Sequence, residues 1–255
     1  MLVENTLFGN VDKVETAIQR LRTYEPPDGY YLAYSGGKDS TCIYHLAKMA
    51  GVKFDAHYNI TTVDPPELVR FVRLHKDVTM EHPRKSMWQL IEVNMSPPTR
   101  IQRFCCRELK ERGGIGRTVM TGVRWEESAK RSGRKMYEPD RKKKIMYLHP
   151  IIDWTEADVW EFIDGYKLPY CELYNEEYSR LGCIGCPFKG PVGMKKDFER
   201  WPVFRDAYLR AFQKMLNRRK LKGKANTSWH TPEDVMRWWI SGKAMVFEGE
   251  LFKTN

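Results

Sequence analysis

Two sets of residues in this chain have the types and spacing to do chemistry. The first is Ser35-Gly36-Gly37-Lys38-Asp39-Ser40. It lies between Tyr30–Tyr34, which reads as a short apolar strand, and Ser40–Met49, which reads as a helix closed by Gly51. A loop at that junction faces backbone N–H groups and the positive end of a helix dipole. Two glycines let the backbone wrap a phosphate, Lys38 adds charge, and Ser35 and Ser40 add hydroxyl donors. The spacing is not G-x-x-x-x-G-K-[ST], which excludes the common P-loop. A plain tight turn is the alternative reading.

The second set is cysteine. Of Cys42, Cys105, Cys106, Cys171, Cys183 and Cys186, four form a pattern: an adjacent pair and a C-x-x-C, with 76 residues between them. An even count suggests disulfides only in an oxidising compartment. The start MLVENTLFGNVDKVE has no basic opening and no apolar stretch, so the expectation is a cytoplasmic chain without a signal peptide. A metal or redox site then gains weight. Four soft thiolates suit zinc or an iron–sulfur cluster, although an adjacent Cys-Cys is unusual in a zinc ribbon. Unligated thiols are the third possibility. Cys42, beside Ile43, reads as a buried small residue, and Cys171 as a bystander or a persulfide carrier.

The elements that must position these groups alternate. Residues 10–23 carry Val11, Val14, Ile18 and Leu21 at helical spacing. Residues 54–60, 117–123 and 144–151 read as further strands. Residues 65–76, 86–93 and 105–112 read as helices, and Thr155-Glu156-Ala157-Asp158 as a capping box opening another. Alternation of this kind predicts an α/β fold with a mostly parallel sheet. From about residue 190 only helices are expected, including the stripe Phe204, Tyr208, Phe212 and Leu216. Residues 191–255 are therefore expected to be a helical extension of a 1–190 domain, without a core of their own.

With 255 residues, 42% hydrophobic and 30% charged, the chain is expected to be a soluble globular protein. No apolar run approaches the ~18 residues of a membrane span. The net charge of +10 favours anionic partners: nucleotides, RNA or DNA. Lys130–Lys144 holds eight Lys or Arg and two acids. With Gly133 and Pro139 it reads as a loop at the mouth of the site, either simply solvated or steering a polyanion. Arg124 follows a strand end, where parallel sheets bind ligands, and a guanidinium there can hold phosphate or sulfate; a surface ion pair is the alternative. Asp64 follows the second strand and can contact a ribose or Mg²⁺, or serve only as a helix N-terminal acid.

The hexapeptide resembles the PP-loop of ATP pyrophosphatases, which cleave ATP between the α and β phosphates. Further segments resemble the PAPS reductase family: Thr121-Gly122-Val123-Arg124-Trp125-Glu126-Glu127-Ser128 with Arg131, His149-Pro150-Ile151-Ile152-Asp153-Trp154 with Asp158-Val159-Trp160, and Leu168-Pro169-Tyr170, Leu173-Tyr174 and Gly182-Cys183-x-x-Cys186-Pro187. Together they span roughly residues 28–190. Cys105-Cys106-Arg107-Glu108-Leu109-Lys110 paired with the distant C-x-x-C is similar to the [4Fe–4S] site of APS reductases. The resemblance implies a Rossmann-like, adenine nucleotide α-hydrolase-like sheet. It implies catalytic Lys38, Asp39 and Arg124. It implies nucleotide contacts at Ser35, Gly36, Gly37, Lys38, Asp39, Ser40, Asp64, Gly122 and Arg124, and cluster ligands Cys105, Cys106, Cys183 and Cys186. ATP or another adenine nucleotide such as PAPS, Mg²⁺ and a [4Fe–4S] cluster are the implied cofactors.

The sequence also departs from the reductases. No cysteine follows Cys186, so their Glu-Cys-Gly-Leu-His tail has no counterpart here, and the SGGKDS loop, often degenerate in them, is intact. Both departures favour ATP-dependent adenylation coupled to sulfur transfer, as in the similar iron–sulfur ATPase of DNA phosphorothioation systems and in phage-type members of the family. The implied partners are tRNA or DNA as acceptor, a cysteine desulfurase or another sulfur donor, and a second copy of the chain in a homodimer, with no membrane. The rival readings are an APS/PAPS reductase and a non-catalytic nucleotide- or nucleic-acid-binding module.

Overall fold

A computed structural model describes residues 2–6, 9–176, 178–224 and 228–242. In chain order its elements are strands β1 (Val3–Thr6) and β2 (Gly9–Asp12), helix α1 (Lys13–Thr23), β3 (Tyr30–Ala33), α2 (Lys38–Ala50), β4 (Phe54–Asn59), α3 (Pro66–Leu74), β5 (Val78–Glu81), α4 (Met87–Asn94), β6 (Thr118–Met120), α5 (Ala129–Ser132), β7 (Tyr137–Asp140), β8 (Ile145–Leu148), α6 (Glu156–Gly165), α7 (Gly190–Arg200), α8 (Pro202–Leu221) and α9 (Pro232–Ser241). The chain folds as two compact units. One comprises residues 1–60, 65–82 and 112–181; the other comprises 61–64, 83–111 and 182–255. Residues 243–255 of the expected helical extension lie outside the described residues.

The first unit is built on a six-stranded sheet of order β5-β4-β3-β6-β8-β7, parallel except for β7, which pairs antiparallel with β8. This is the expected α/β class. From β3 the chain moves outward through β4 and β5, then returns to the other side of β3 with β6. The strand order therefore reverses between β3 and β6, and open α/β sheets bind ligands at such a point, beyond the carboxyl ends of the strands. Tyr30 and Leu32 of β3 are fully buried, as are Ala17 and Leu21 of α1, Ile43 and Leu46 of α2, and Val159 and Phe162 of α6. The Tyr30 hydroxyl donates to Leu21 O at 2.8 Å, so α1 is tied to the central strand.

The β1–β2 hairpin, β5, the short α5 and β7 escaped the sequence reading. The last corrects the loop expected at 130–144. Tyr137–Asp140 pairs with Ile145–Leu148 in register, and Pro139 is tolerated because β7 is the sheet edge. The turn is fixed by Asp140 Oδ1, which accepts from Lys142 N and Lys143 N at 3.1 Å each. Because this turn precedes β8 and Lys144 O accepts from Gly116 N ahead of β6, Arg141–Lys144 sit at the amino ends of the strands. The glycine loop follows the carboxyl end of β3. The four cations are therefore at the far end of the sheet, not at the mouth of the site.

The second unit has a core of its own, contrary to the expected appendage. Trp239 of α9 packs on Tyr208 and Phe212 of α8, and Trp88 of α4 meets Tyr208 edge-on. The segment 83–111 is what makes this core possible, by supplying α4 and the apolar residues Leu90 and Ile91.

Asp158 shows how a sequence motif becomes structure. Thr155 caps α6 through a capping box completed by Asp158, and the same carboxylate accepts from buried Lys13 Nζ at 2.7 Å. Burial opposes the charge, but Lys13 and the Thr155 N–H hold Asp158 well below the usual carboxylate range. Its contribution to stability is complete above about pH 4 and is lost as pH falls below that. Asp158→Ala leaves the buried Lys13 ammonium with only the half-exposed Glu4 carboxylate as counter-ion, so we expect a loss of about 3 kcal/mol at pH 7 in urea titrations. The variant should also show a shallower decline in stability below pH 4 than the parent.

Candidate nucleotide site and cysteine cluster

At the carboxyl end of β3 the chain turns sharply. Gly36 takes φ +69°, and a Cβ there would stand 2.7 Å from both Leu68 Cδ1 and Val72 Cγ2 of α3. Gly37 caps α2. The loop is braced by its serines: Ser40 Oγ donates to Gly37 O at 2.9 Å, accepts from Ser35 N at 3.2 Å and lies 3.0 Å from Ser35 Oγ. Lys38 and Asp39 thus occupy the first turn of α2, where an anion meets N–H groups and the dipole.

Gly122 lies just beyond the carboxyl end of β6. A Cβ on it would fall 2.8–2.9 Å from the Asp39 backbone, so only glycine lets this strand end pass the first turn of α2. Two residues on, Arg124 Nε donates to Asp39 Oδ1 at 2.6 Å. Arg124 is only 3% exposed. Its Nη1 donates to Glu126 Oε2 at 2.9 Å and to Trp154 O at 3.3 Å. Burial works against the charge, but Asp39, Glu126 and Glu127 outweigh it and raise the Arg124 pKa. Glu127 accepts from Arg124 N at 3.0 Å and pairs with Arg131, while Ser128 caps α5. The Gly-x-Arg-x-x-Glu-Ser segment is therefore a self-braced turn that delivers one guanidinium to Asp39.

Lys38 is buried as well. Its ammonium donates to Ser179 O at 2.9 Å and lies 3.3 Å from Glu156 Oε1, and its backbone N–H donates to the Tyr174 hydroxyl at 2.9 Å. Tyr174, Glu156 and Ser179 carried no functional assignment in the sequence. Tyr174 belonged to a quoted motif, but nothing in its spacing linked it to a loop 136 residues away. On the neighbouring strand ends, Thr121 Oγ1 and His149 Nδ1 are 2.7 Å apart. Burial, reinforced by Arg134, pushes His149 down to about 4, so it is neutral at pH 7.

Asp64 belongs to the other unit. Its carboxylate accepts from Thr61 N and Thr61 Oγ1, both at 2.7 Å. Cys105, Cys106, Cys183 and Cys186 line one small cavity there, together with Thr61, Lys110 and Tyr208. All six cysteines are free thiols. A π-helical turn, Cys106–Lys110, presents the first pair. The second pair sits on a loop held by three bonds: Ile184 N to Val63 O, Tyr208 Oη to Ile184 O, and Gly185 N to the buried Asp197 carboxylate. Cys183 Sγ lies 3.6 Å from Thr61 Oγ1. The Cys105 thiol, with help from Arg103, lowers Cys106 to about 5, while the same interaction raises Cys105. The Cys183 charge, followed by those of Asp64, Cys186 and Cys106, raises Lys110. Among the described residues no three His, Cys, Asp or Glu side chains are grouped to hold a single metal ion. The four thiols line this one cavity beside Lys110. Cys42 and Cys171 belong to the first unit and are buried there.

The sequence model of the phosphoadenosine phosphosulfate reductase domain matches residues 29–189. An adenosine 5'-phosphosulfate reductase from Allochromatium vinosum is 33% identical over 105 residues, which cover 39% of this chain and 41% of that protein. A Caenorhabditis briggsae protein described as "Probable FAD synthase" is 25% identical over 183 residues, covering 68% of this chain and 32% of that protein. The chain thus spans well under half the length of the curated relatives it matches. Among solved structures, a phosphoadenylyl-sulfate (PAPS) reductase from Candida auris superposes with a TM-score of 0.53 at 17% identity, covering 66% of this chain and 88% of that one. It shares the fold.

The glycine geometry can be tested directly. Gly122→Ala presses on the Asp39 backbone, and a loss of about 1–3 kcal/mol is expected. Gly133→Ala, at φ −85° with no heavy atom within 4 Å of the new Cβ, should leave stability unchanged. Chemical denaturation midpoints of the two variants decide the matter; equal midpoints would show that β6 and α2 do not approach as described.

Proposed function

The chain belongs to the phosphoadenosine phosphosulfate reductase domain family, and from that premise we propose that it binds ATP at Ser35–Ser40 and transfers the adenylyl group to an acceptor, releasing pyrophosphate. The carrying observation is the intact SGGKDS loop seated where the strand order reverses, with Asp39 locked to Arg124. An acceptor oxygen or other nucleophile bonds to the α-phosphorus as the bond to the bridging α–β oxygen breaks. Charge then builds on the departing pyrophosphate, where the α2 N-terminus and Lys38 can stabilise it. Asp39 is the carboxylate proposed to take the Mg²⁺ that accompanies ATP. Arg124, buried behind it, acts by positioning Asp39. Ser35, Gly36, Gly37, Ser40 and Gly122 shape the cradle.

The donor set of Cys105, Cys106, Cys183 and Cys186 fits a [4Fe–4S] cluster, which when bound supplies electron-transfer chemistry. Asp64 in this reading holds Thr61 beside the cysteines, and sulfur transfer from a donor such as a cysteine desulfurase is the proposed purpose of the activation. The relatives named as adenosine 5'-phosphosulfate reductases favour a second reading, reduction of an adenylylated sulfate. For the acceptor, the net charge of +10 supports tRNA or DNA. The relevant surface is the carboxyl end of the sheet, where Trp125 is 42% exposed beside exposed Lys130 and Lys135.

Pyrophosphate release from Mg·ATP tests the first reading. Lys38→Ala and Asp39→Asn should each lower the rate by about 10²-fold. Sulfite release from APS or PAPS with a thiol reductant, without pyrophosphate release, would establish the second. Protein purified without oxygen should contain iron and acid-labile sulfide; Cys183→Ala should lose both and Cys171→Ala should keep them. Zinc in their place would overturn the cluster assignment. Binding to single-stranded RNA or DNA should weaken steeply with salt. Replacing Lys130 and Lys135 by Ala should reduce it, whereas replacing Arg141–Lys144 should not. The opposite ranking would move the acceptor surface to the far end of the sheet.

A further inference from the structure

The first backbone donor of α2 is already engaged. Lys38 N–H points at the Tyr174 hydroxyl oxygen, 2.9 Å away. A Cβ added at Gly37 would stand 3.4 Å from that same oxygen, so the hydroxyl lies directly over the glycine loop. The Lys38 ammonium is drawn to the same stretch of chain. It donates to Ser179 O at 2.9 Å and sits 5.4 Å from the Tyr174 ring centroid, with Glu156 as its counter-ion. The two Lys38 donors that a phosphate would use, one backbone and one side chain, both face Tyr174 and Ser179. Burial raises the Tyr174 pKa, so the oxygen is that of a neutral phenol. A neutral acceptor binds an N–H more weakly than a phosphate oxyanion does, by about twofold in strength.

We propose that Tyr174 is a positioning residue of the nucleotide loop: its hydroxyl holds the place of a phosphate oxygen on Lys38 N–H, and yields that place when a nucleotide binds. The inference rests on the nucleotide reading above and adds a competitor to it. The hydroxyl satisfies the N–H and so keeps the first turn of α2 in its binding geometry. It also lowers the fraction of molecules ready for phosphate, and apparent affinity falls by that fraction.

The test is ATP binding by calorimetry on the full chain, beside Tyr174→Phe. Loss of one neutral hydrogen bond should lower the Tm of the ligand-free variant. The variant should nevertheless bind ATP roughly 3–10-fold more tightly, the factor expected for removing one such bond. A purely structural tyrosine would give a lower Tm with equal or weaker binding, and a hydroxyl that donates to phosphate would give weaker binding; either result overturns the proposal. If neither protein binds ATP, the nucleotide reading falls and this inference with it. If the parent binds ATP and the variant binds equally, only this inference falls. A readout in the folded parent is independent of the variant's stability: 3-fluorotyrosine at position 174 should change its fluorine shift when ATP is added. An unmoved resonance at saturating ATP would also overturn the proposal.

Discussion

The pairing of Asp39 with the buried Arg124 is the constraint on which the first unit's site depends. Asp39 stands in the first turn of α2 and Arg124 just past β6, so the pair closes the gap at which the sheet reverses its strand order. Gly122 allows the approach, Glu126 and Trp154 O fix the guanidinium from behind, and Glu127 holds the Arg124 backbone N–H. Removing Asp39 would leave the buried guanidinium with only the exposed Glu126 carboxylate as counter-ion. The pair also sets the direction of the first turn of α2, and with it the direction of every donor an anion could use there.

Much of this was legible in the residues. Glycines between an apolar strand and a helix announced the loop, because few other arrangements need two glycines there. The capping box at Thr155 and the C-cap at Gly51 carried local signatures that survive any tertiary context. Arg124 was legible as a functional position but not in its manner of acting. Spacing indicated a group at a strand end, whereas its burial behind Asp39 follows from a contact across 85 residues. Tyr174 was silent for the same reason. β7 was hidden by Pro139, which argues against a strand unless the strand is known to be an edge.

The cysteine unit shows a different limit. Pairing an adjacent Cys-Cys with a distant C-x-x-C predicted convergence, and the four thiols do line one cavity. The partition of the chain was not readable. Residues 86–93 and 105–112 look like two more helices in an alternating pattern, yet the stretch 83–111 supplies α4 and the π-helical turn to the C-terminal helices. The reason is apolar surface: Trp88, Leu90 and Ile91 need a cover, and Tyr208 and its neighbours need one too.

That the second unit is stitched from three separate stretches has a consequence for how the protein is made. Cys105 and Cys106 are synthesised before the 76 residues that separate them from Cys183. At ribosomal speeds of 5–20 residues per second, they wait roughly 4–15 s for their partners. Until then the first pair is a two-thiol half-site, lacking the Cys183–Pro187 side and Tyr208 of the cavity. Closure of this cavity therefore waits until the chain has been extended past Cys186, a delay that a contiguous four-cysteine motif would not have.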